Sequence, residues 1–230
     1  MRYIYCHPLF DERKCSHRFS FQLSETFSRQ GLNLERFDYQ GTGEASGKFS
    51  DVTMQSLRKD LDNQISGQEV LLIGVRFGAD LVFDYLFRNP DNVKLLILIE
   101  PVIEGSDYIK YLFQKQRVKD LMTGTAPTIS RENGFYNLEG YKTNSLLIEQ
   151  LKEFSLTKMA KDFNKKKTIR FVYVSPCSGM NNRYNILSDF LKNNGSNVDV
   201  LRCKLPPFWE RLPLADYSKL TDRILECCSD

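Results

Sequence analysis

The stretch VLLIGVRFGADLVFDYL, residues 70–86, decides how the rest of the chain is read. Its first part is a short apolar run of the kind that forms a strand buried on both faces. Its last part opens a helix expected over Ala79 to Phe87. Between them lies Gly74-Val75-Arg76-Phe77-Gly78, so the strand gives way to the helix through a G-x-R-x-G turn. Glycines at those two places permit a sharp bend that presents the central side chain at the head of the following helix.

Working outward, short β-rich runs alternate with amphipathic stretches, the pattern of βαβ units stacked into a parallel sheet. The expected strands are Arg2–Cys6, Asn33–Phe37, Glu69–Ile73, Lys94–Ile99, Thr168–Val174 and Asn197–Lys204. Helices are expected over Ser16–Gln30, which stops at Gly31, from Asp51 to about Gln64, and over Ala79–Phe87. The alternation lapses between Ser106 and Ala160, where two mostly helical stretches, Tyr108–Leu121 and Ser145–Met159, flank a Gly/Pro/Asn-containing loop. The expectation is one domain spanning 1–230, a mainly parallel, doubly wound sheet of six strands, with a small helical cap inserted at about 104–164.

Two further landmarks fit the turn. His7-Pro8-Leu9 follows the first strand, where a loop can supply one oxyanion amide, and Asp38-Tyr-Gln-Gly41-Thr-Gly43-Glu-Ala-Ser46-Gly47 follows the second. In order and spacing, HPLFDERKCS, DYQGTGEASGKFSD, GVRFGA, EPVIEGSDYIKYL, NLEGY and PPFWERL resemble the exosortase-associated hydrolases, a branch of the α/β hydrolases tied to bacterial exopolysaccharide systems. The resemblance covers nearly the whole chain and implies the α/β-hydrolase fold. It also implies that Arg76 stands where the fold usually places a serine nucleophile, as in one set of members of that family. Other members reach the first strand only after two earlier ones, which leaves the far edge of the sheet open to question; an unpaired edge there would be a surface for a homodimer.

The triad of that fold runs in the order nucleophile, acid, histidine, the histidine lying after the last strand. Both histidines of this chain, His7 and His17, precede the turn, and the residues after the last strand are Leu205-Pro206-Pro207-Phe208-Trp209. A guanidinium stays protonated at any working pH and cannot replace a serine hydroxyl. Serine-hydrolase catalysis is therefore not expected. A carboxylate mechanism through Asp38, Glu12 or Glu100 is the alternative, since carboxyl groups can do acid and base work without histidine. Cys177 lacks a nearby base and is a poor candidate nucleophile.

At the head of a helix, Arg76 can attract a phosphate or carboxylate. It can equally be neutralised internally by Glu12, in the loop after the first strand, or by Glu100, at the end of KLLILIE. A carboxylate can also position it for a ligand. The candidate ligand-binding residues are Arg76, Phe77, His7, Leu9, Glu12, Asp38, Glu100 and Trp209. For His7 the bland reading is a hydrogen-bonded loop histidine, for Asp38 a local brace of its glycine loop, and for Phe208 and Trp209 a cover over the sheet end.

Composition narrows the function classes. The 32 basic and 29 acidic residues nearly balance, leaving a formal charge of +3 that points to neither a nucleic-acid partner nor a membrane surface. Lys165-Lys166-Lys167 reads as a solvated loop. The opening MRYIYCHPLF has no long apolar core or small-residue cleavage site, and no run approaches a spanning helix, so a cytoplasmic protein is expected. Six cysteines without a CxxC pair or metal-ligand spacing read as free thiols. No metal or cofactor is expected. The resulting reading is a hydrolase-like protein without triad catalysis that binds a small anionic or acyl-bearing molecule. The rivals are an esterase or acyl transferase with a non-triad mechanism, and a protein-interaction module.

Overall fold

A computed structural model of the chain describes residues 1–124, 134–177, 182–210 and 216–228. In chain order the first half forms β1 (Arg2–Cys6), α1 (Phe10–Arg29), β2 (Leu34–Arg36), α2 (Met54–Ile65), β3 (Val70–Val75), α3 (Phe77–Arg88) and β4 (Val93–Ile99). There follow α4 (Gly105–Thr123), the strands β5 (Phe135–Leu138) and β6 (Tyr141–Asn144), α5 (Ser145–Glu153) and α6 (Leu156–Asp162). The chain then continues through β7 (Thr168–Val174), α7 (Asn182–Asn193), β8 (Asn197–Cys203) and α8 (Ser218–Glu226). Contacts divide it into two compact units, one made of Met1–Phe37, Gln64–Val102 and Leu156–Asp230, the other of Asp38–Asn63 and Ile103–Ser155.

The first unit holds a six-stranded sheet in the order β2-β1-β3-β4-β7-β8, with every neighbouring pair parallel. All six residues of β3 are buried, as are all of β4 except Lys94, because helices cover both faces. Leu71, Ile73 and Val75 of β3 join Ile97, Ile99, Val172 and Val174 in one core, to which α1 contributes Phe19, Leu23 and Phe27 and α8 contributes Leu220 and Ile224. The alternate strand positions face the opposite way, as the two-residue period requires. There Phe171 of β7 meets Tyr184 of α7, and Phe83 of α3 meets Phe163 beside α6. This is the doubly wound parallel sheet expected from the sequence.

The second unit contains most of α2, together with α4, α5 and the antiparallel hairpin β5–β6. Its turn is Glu139-Gly140, both at positive φ (52° and 88°), the backbone of a tight two-residue hairpin. The sequence reading left this segment as loop. The signal was present as alternating FYNL and YKTN around an x-Gly turn, but it was short and stood between helical stretches. Asn144 caps α5 by accepting from the Leu147 N–H at 2.7 Å, and its amide nitrogen donates to the carbonyls of Ser50 and Val52.

Two other expectations need correction. Helix α1 starts at Phe10, not Ser16, so Glu12 lies in its first turn and not in a loop. Asp11 and Glu12 suit that position because the amino end of a helix favours negative charge. The stretch read as one helix over Ser145–Met159 is broken at Phe154-Ser155, and the Leu156–Asp162 piece belongs with the sheet unit. No helix among the described residues is long and apolar enough to cross a membrane.

Helix α3 can follow β3 so closely because Gly78 lacks a side chain. A Cβ there would lie 2.3 Å from the Cys6 carbonyl oxygen and 2.5 Å from that of His7. At Gly74 it would lie 2.4 Å from the Ala79 Cα. These obstacles are backbone, so relief requires moving β1 against α3. Gly78→Ala is expected to destabilise the protein by about 3 kcal/mol, at the upper end of ordinary overpacking costs. The control Gly67→Ala, at positive φ but with nothing within 4 Å of the added carbon, is expected to cost about 1 kcal/mol. Urea unfolding of both checks this, and a Gly78→Ala midpoint equal to or above the control would refute it.

Candidate functional site

The turn between β3 and α3 sets the site. Arg76 has φ 51° and ψ −129°, an unusual conformation for a residue with a side chain. It is held from both sides: the Arg76 N–H donates to the Ile99 carbonyl at 2.9 Å, and its own carbonyl accepts from the Ala79 N–H at 2.8 Å. Strand order does the rest. Because β3 lies between β1 and β4, the residues that follow those two strands converge on the turn.

Glu12 and Glu100 both reach Arg76, by different groups. The Arg76 Nε donates to the Glu12 carboxylate at 3.1 Å, and Nη1 donates to the Glu100 backbone carbonyl at 3.0 Å. The guanidinium carbon lies 5.3 Å from the centre of the Trp209 ring, a cation–π distance. The Glu12 side chain is fully buried, while that of Arg76 retains 15% exposure. The arginine side chain is therefore not fully enclosed.

The Glu100 carboxylate faces away from this contact and accepts from the Val174 N–H at 2.6 Å and the Tyr184 hydroxyl at 2.9 Å. Burial pushes its pKa up, opposed by those two hydrogen bonds and by the charge of Arg76. Burial, then the neighbouring Glu100 carboxyl, pushes the Tyr184 hydroxyl well up. Tyr184 was not singled out in the sequence, since a tyrosine on a surface helix gives no signal of where its hydroxyl ends.

Asp80, in the first turn of α3, is the other residue the sequence reading missed. It is fully buried, its Oδ2 accepts from the Val102 N–H at 3.0 Å, and its Oδ1 has no hydrogen-bond partner among the described residues. Burial raises its pKa well above the ordinary carboxyl value, and the charge of Glu12 adds to the rise while Arg76 opposes it. An aspartate inside the otherwise apolar GADLVF was the available clue. The site thus gathers one guanidinium and three buried carboxyl groups, and burial raises the pKa values of Asp80 and Glu100 while the charge of Arg76 opposes the rise.

The remaining candidates divide. The His7 ring is buried with Nδ1 2.8 Å from the Pro8 carbonyl, and its backbone abuts Gly78. Leu9 and Phe77 are fully buried at the amino ends of α1 and α3. Trp209 is nearly buried and lies edge-on to Phe208, which itself stacks on Phe19 at 4.3 Å. Asp38 belongs to the other unit, where its carboxylate accepts from the Glu44 N–H at 3.0 Å and braces the glycine loop.

A carboxyl whose folded-state pKa lies above its unfolded value of about 3.9 holds its proton more tightly in the folded chain. Its stabilising contribution is present below the unfolded pKa and is lost as pH rises through the folded pKa. Asp80→Asn keeps an acceptor for Val102 and cannot ionise. The variant's stability relative to wild type should therefore rise between acidic and mildly alkaline pH, read as the difference in urea midpoint. A difference that does not change with pH would show that Asp80 is ionised in the folded protein.

No protein-family model matches the chain, and no curated protein is significantly similar to it. Solved structures do match. Est1E from Butyrivibrio proteoclasticus with bound ferulic acid aligns with a TM-score of 0.64 at 15% identity, covering 99% of this chain and 89% of that one. A monoacylglycerol lipase from Paleococcus ferrophilus gives 0.63 at 16% identity, covering 97% and 92%. Mouse alpha/beta hydrolase domain-containing protein 10 gives 0.61 at 16% identity, covering 99% and 89%. Identities this low establish architecture and not activity, and what they establish is that the chain has the α/β-hydrolase fold.

Proposed function

We propose that this protein is a non-hydrolytic member of the α/β-hydrolase superfamily that uses Arg76, in place of a serine nucleophile, to bind the carboxylate, phosphate or acyl carbonyl of a small ligand. What supports this is the guanidinium at the β3–α3 turn, fixed by Glu12, the Glu100 carbonyl and Trp209, with 15% of its side chain still exposed. A fixed fork donates to an acceptor with little ordering cost. Glu12 is then a positioning residue, which reconciles an internal ion pair with a ligand-facing role. Phe77 and His7, beside the same turn, would border the ligand.

The chemistry available to the site favours binding over turnover. Both histidines of the chain precede Arg76 in sequence, and neither follows β8, where the triad histidine of this fold lies. The rival reading, a carboxylate-driven esterase or acyl transferase, rests on Glu100 and Asp80, whose raised pKa values suit proton donors. Resemblance of the HPLFDERKCS, DYQGTGEASGKFSD and GVRFGA motifs to the exosortase-associated hydrolases supports a bacterial exopolysaccharide setting, an associational argument. A deletion strain with unchanged polysaccharide yield and chain length would remove that setting.

Thermal-shift and calorimetric titration with small carboxylates, phosphates and acyl esters tests the site directly. A compound that stabilises wild type should bind Arg76→Lys about tenfold more weakly, because lysine keeps the charge and loses the fork. Arg76→Ala is expected to cost about 3 kcal/mol by leaving Glu12 buried and uncompensated, and Glu12→Gln in the same chain should recover part of that loss. Activated esters and thioesters should show no turnover with wild type or with Arg76→Ser. Turnover abolished by Glu100→Gln would establish the enzyme reading instead.

A further inference from the structure

At the carboxyl end of the edge strand β8, a cavity of about 450 Å³ opens between the strand and α8. Arg202, Lys204, Lys219 and Arg223 line it, and Leu205 and Leu220 give it an apolar floor. None of the four cations makes an ion pair among the described residues. The one carboxylate in the lining, Asp216, accepts from the N–H and the hydroxyl of Ser218, both at 2.9 Å, so it is engaged at the start of α8. Those two hydrogen bonds hold its pKa below the usual carboxylate range. Arg223 is oriented by a hydrogen bond from Nη1 to the Arg202 carbonyl at 2.8 Å.

Four cations and the Asp216 carboxylate, which feels the charge of Lys219, leave the concavity net positive, and an anion placed there gains charge-assisted hydrogen bonds. The volume lies in the range of small-molecule sites, and the leucine floor rewards an apolar portion on the same molecule. Cys203, also in the lining, is no competing centre of reactivity, because burial pushes its thiol pKa up and disfavours the thiolate. We infer that this cavity is a second binding site, separate from Arg76, for an organic phosphomonoester that carries a short apolar group.

Calorimetric titration of the full chain with hexyl phosphate, inorganic phosphate and hexanol tests this. Hexyl phosphate should bind about tenfold or more tightly than inorganic phosphate, hexanol should not bind, and affinity should fall in about 0.3 M salt. The double variant Lys204→Gln/Lys219→Gln, which alters two polar lining side chains and leaves the core intact, should weaken hexyl phosphate about tenfold. The Arg76→Lys variant, in which the turn site is weakened, should still bind hexyl phosphate, and adding Lys204→Gln/Lys219→Gln to it should weaken that remaining binding about tenfold, which separates this site from the one at the β3–α3 turn. Flotation with phosphatidate vesicles distinguishes sources: vesicle binding lost in the double variant assigns a lipid headgroup, and hexyl phosphate binding without it assigns a soluble phosphomonoester. Absence of hexyl phosphate binding at millimolar concentration, or equal affinity in the double variant, overturns the inference.

Discussion

Between the end of β3 and the first turn of α3 lies an arginine whose guanidinium cannot lose its charge and whose side chain is only 15% exposed. Such a charge has to be compensated on the spot. The fully buried Glu12 supplies the counter-charge from the first turn of α1, the Glu100 carbonyl supplies a second acceptor from the end of β4, and Trp209 supplies a ring face. These partners come from three separate parts of the chain. The pair thereby ties α1, the central strands and the segment after β8 to one point.

That point exists only because α3 can pack against the end of β1. Gly74 and Gly78 leave room where any Cβ would strike backbone, and the positive φ of Arg76 completes the bend. The turn displays a cation at the head of α3. The strain of that conformation is offset by hydrogen bonds from Arg76 to β4 and within α3.

The electrostatic consequence runs beyond the pair. Asp80 and Glu100 share the region with Arg76, and full ionisation of every carboxyl would leave surplus negative charge in a poorly solvated place. Burial therefore raises the pKa values of both carboxyls, against the opposing charge of Arg76. The Tyr184 hydroxyl then fixes which way the Glu100 carboxyl faces, leaving its main-chain carbonyl for Arg76. The region is therefore organised around one fixed cation, an arrangement suited to holding a ligand acceptor. The cavity beside β8 has the opposite character, since its cations lie near the surface and its carboxylate is engaged by Ser218.

Much of this was legible in the residues alone. The apolar run of β3, the alternation of strand-like and helix-like stretches, and the glycines around Arg76 established the doubly wound sheet and the sharp turn, because strand and helix periods and φ preferences act over a few neighbouring residues. They also made Glu12, Glu100 and Trp209 candidates near Arg76. Local pattern could not say that Glu12 would pair through its carboxylate and Glu100 through its backbone, that Tyr184 and Asp80 would join the cluster, or that Asp38 would fall in the other unit. It also could not show that residues at 202–205 and 219–223 would enclose a cavity. Those outcomes depend on which strands become neighbours and on side-chain directions across separations such as the 64 residues between Glu12 and Arg76. Thus the sequence by itself determined the sheet, the turn and the cation at its head, whereas tertiary packing decided which distant groups compensate that cation, because those contacts join strands and helices far apart in the chain.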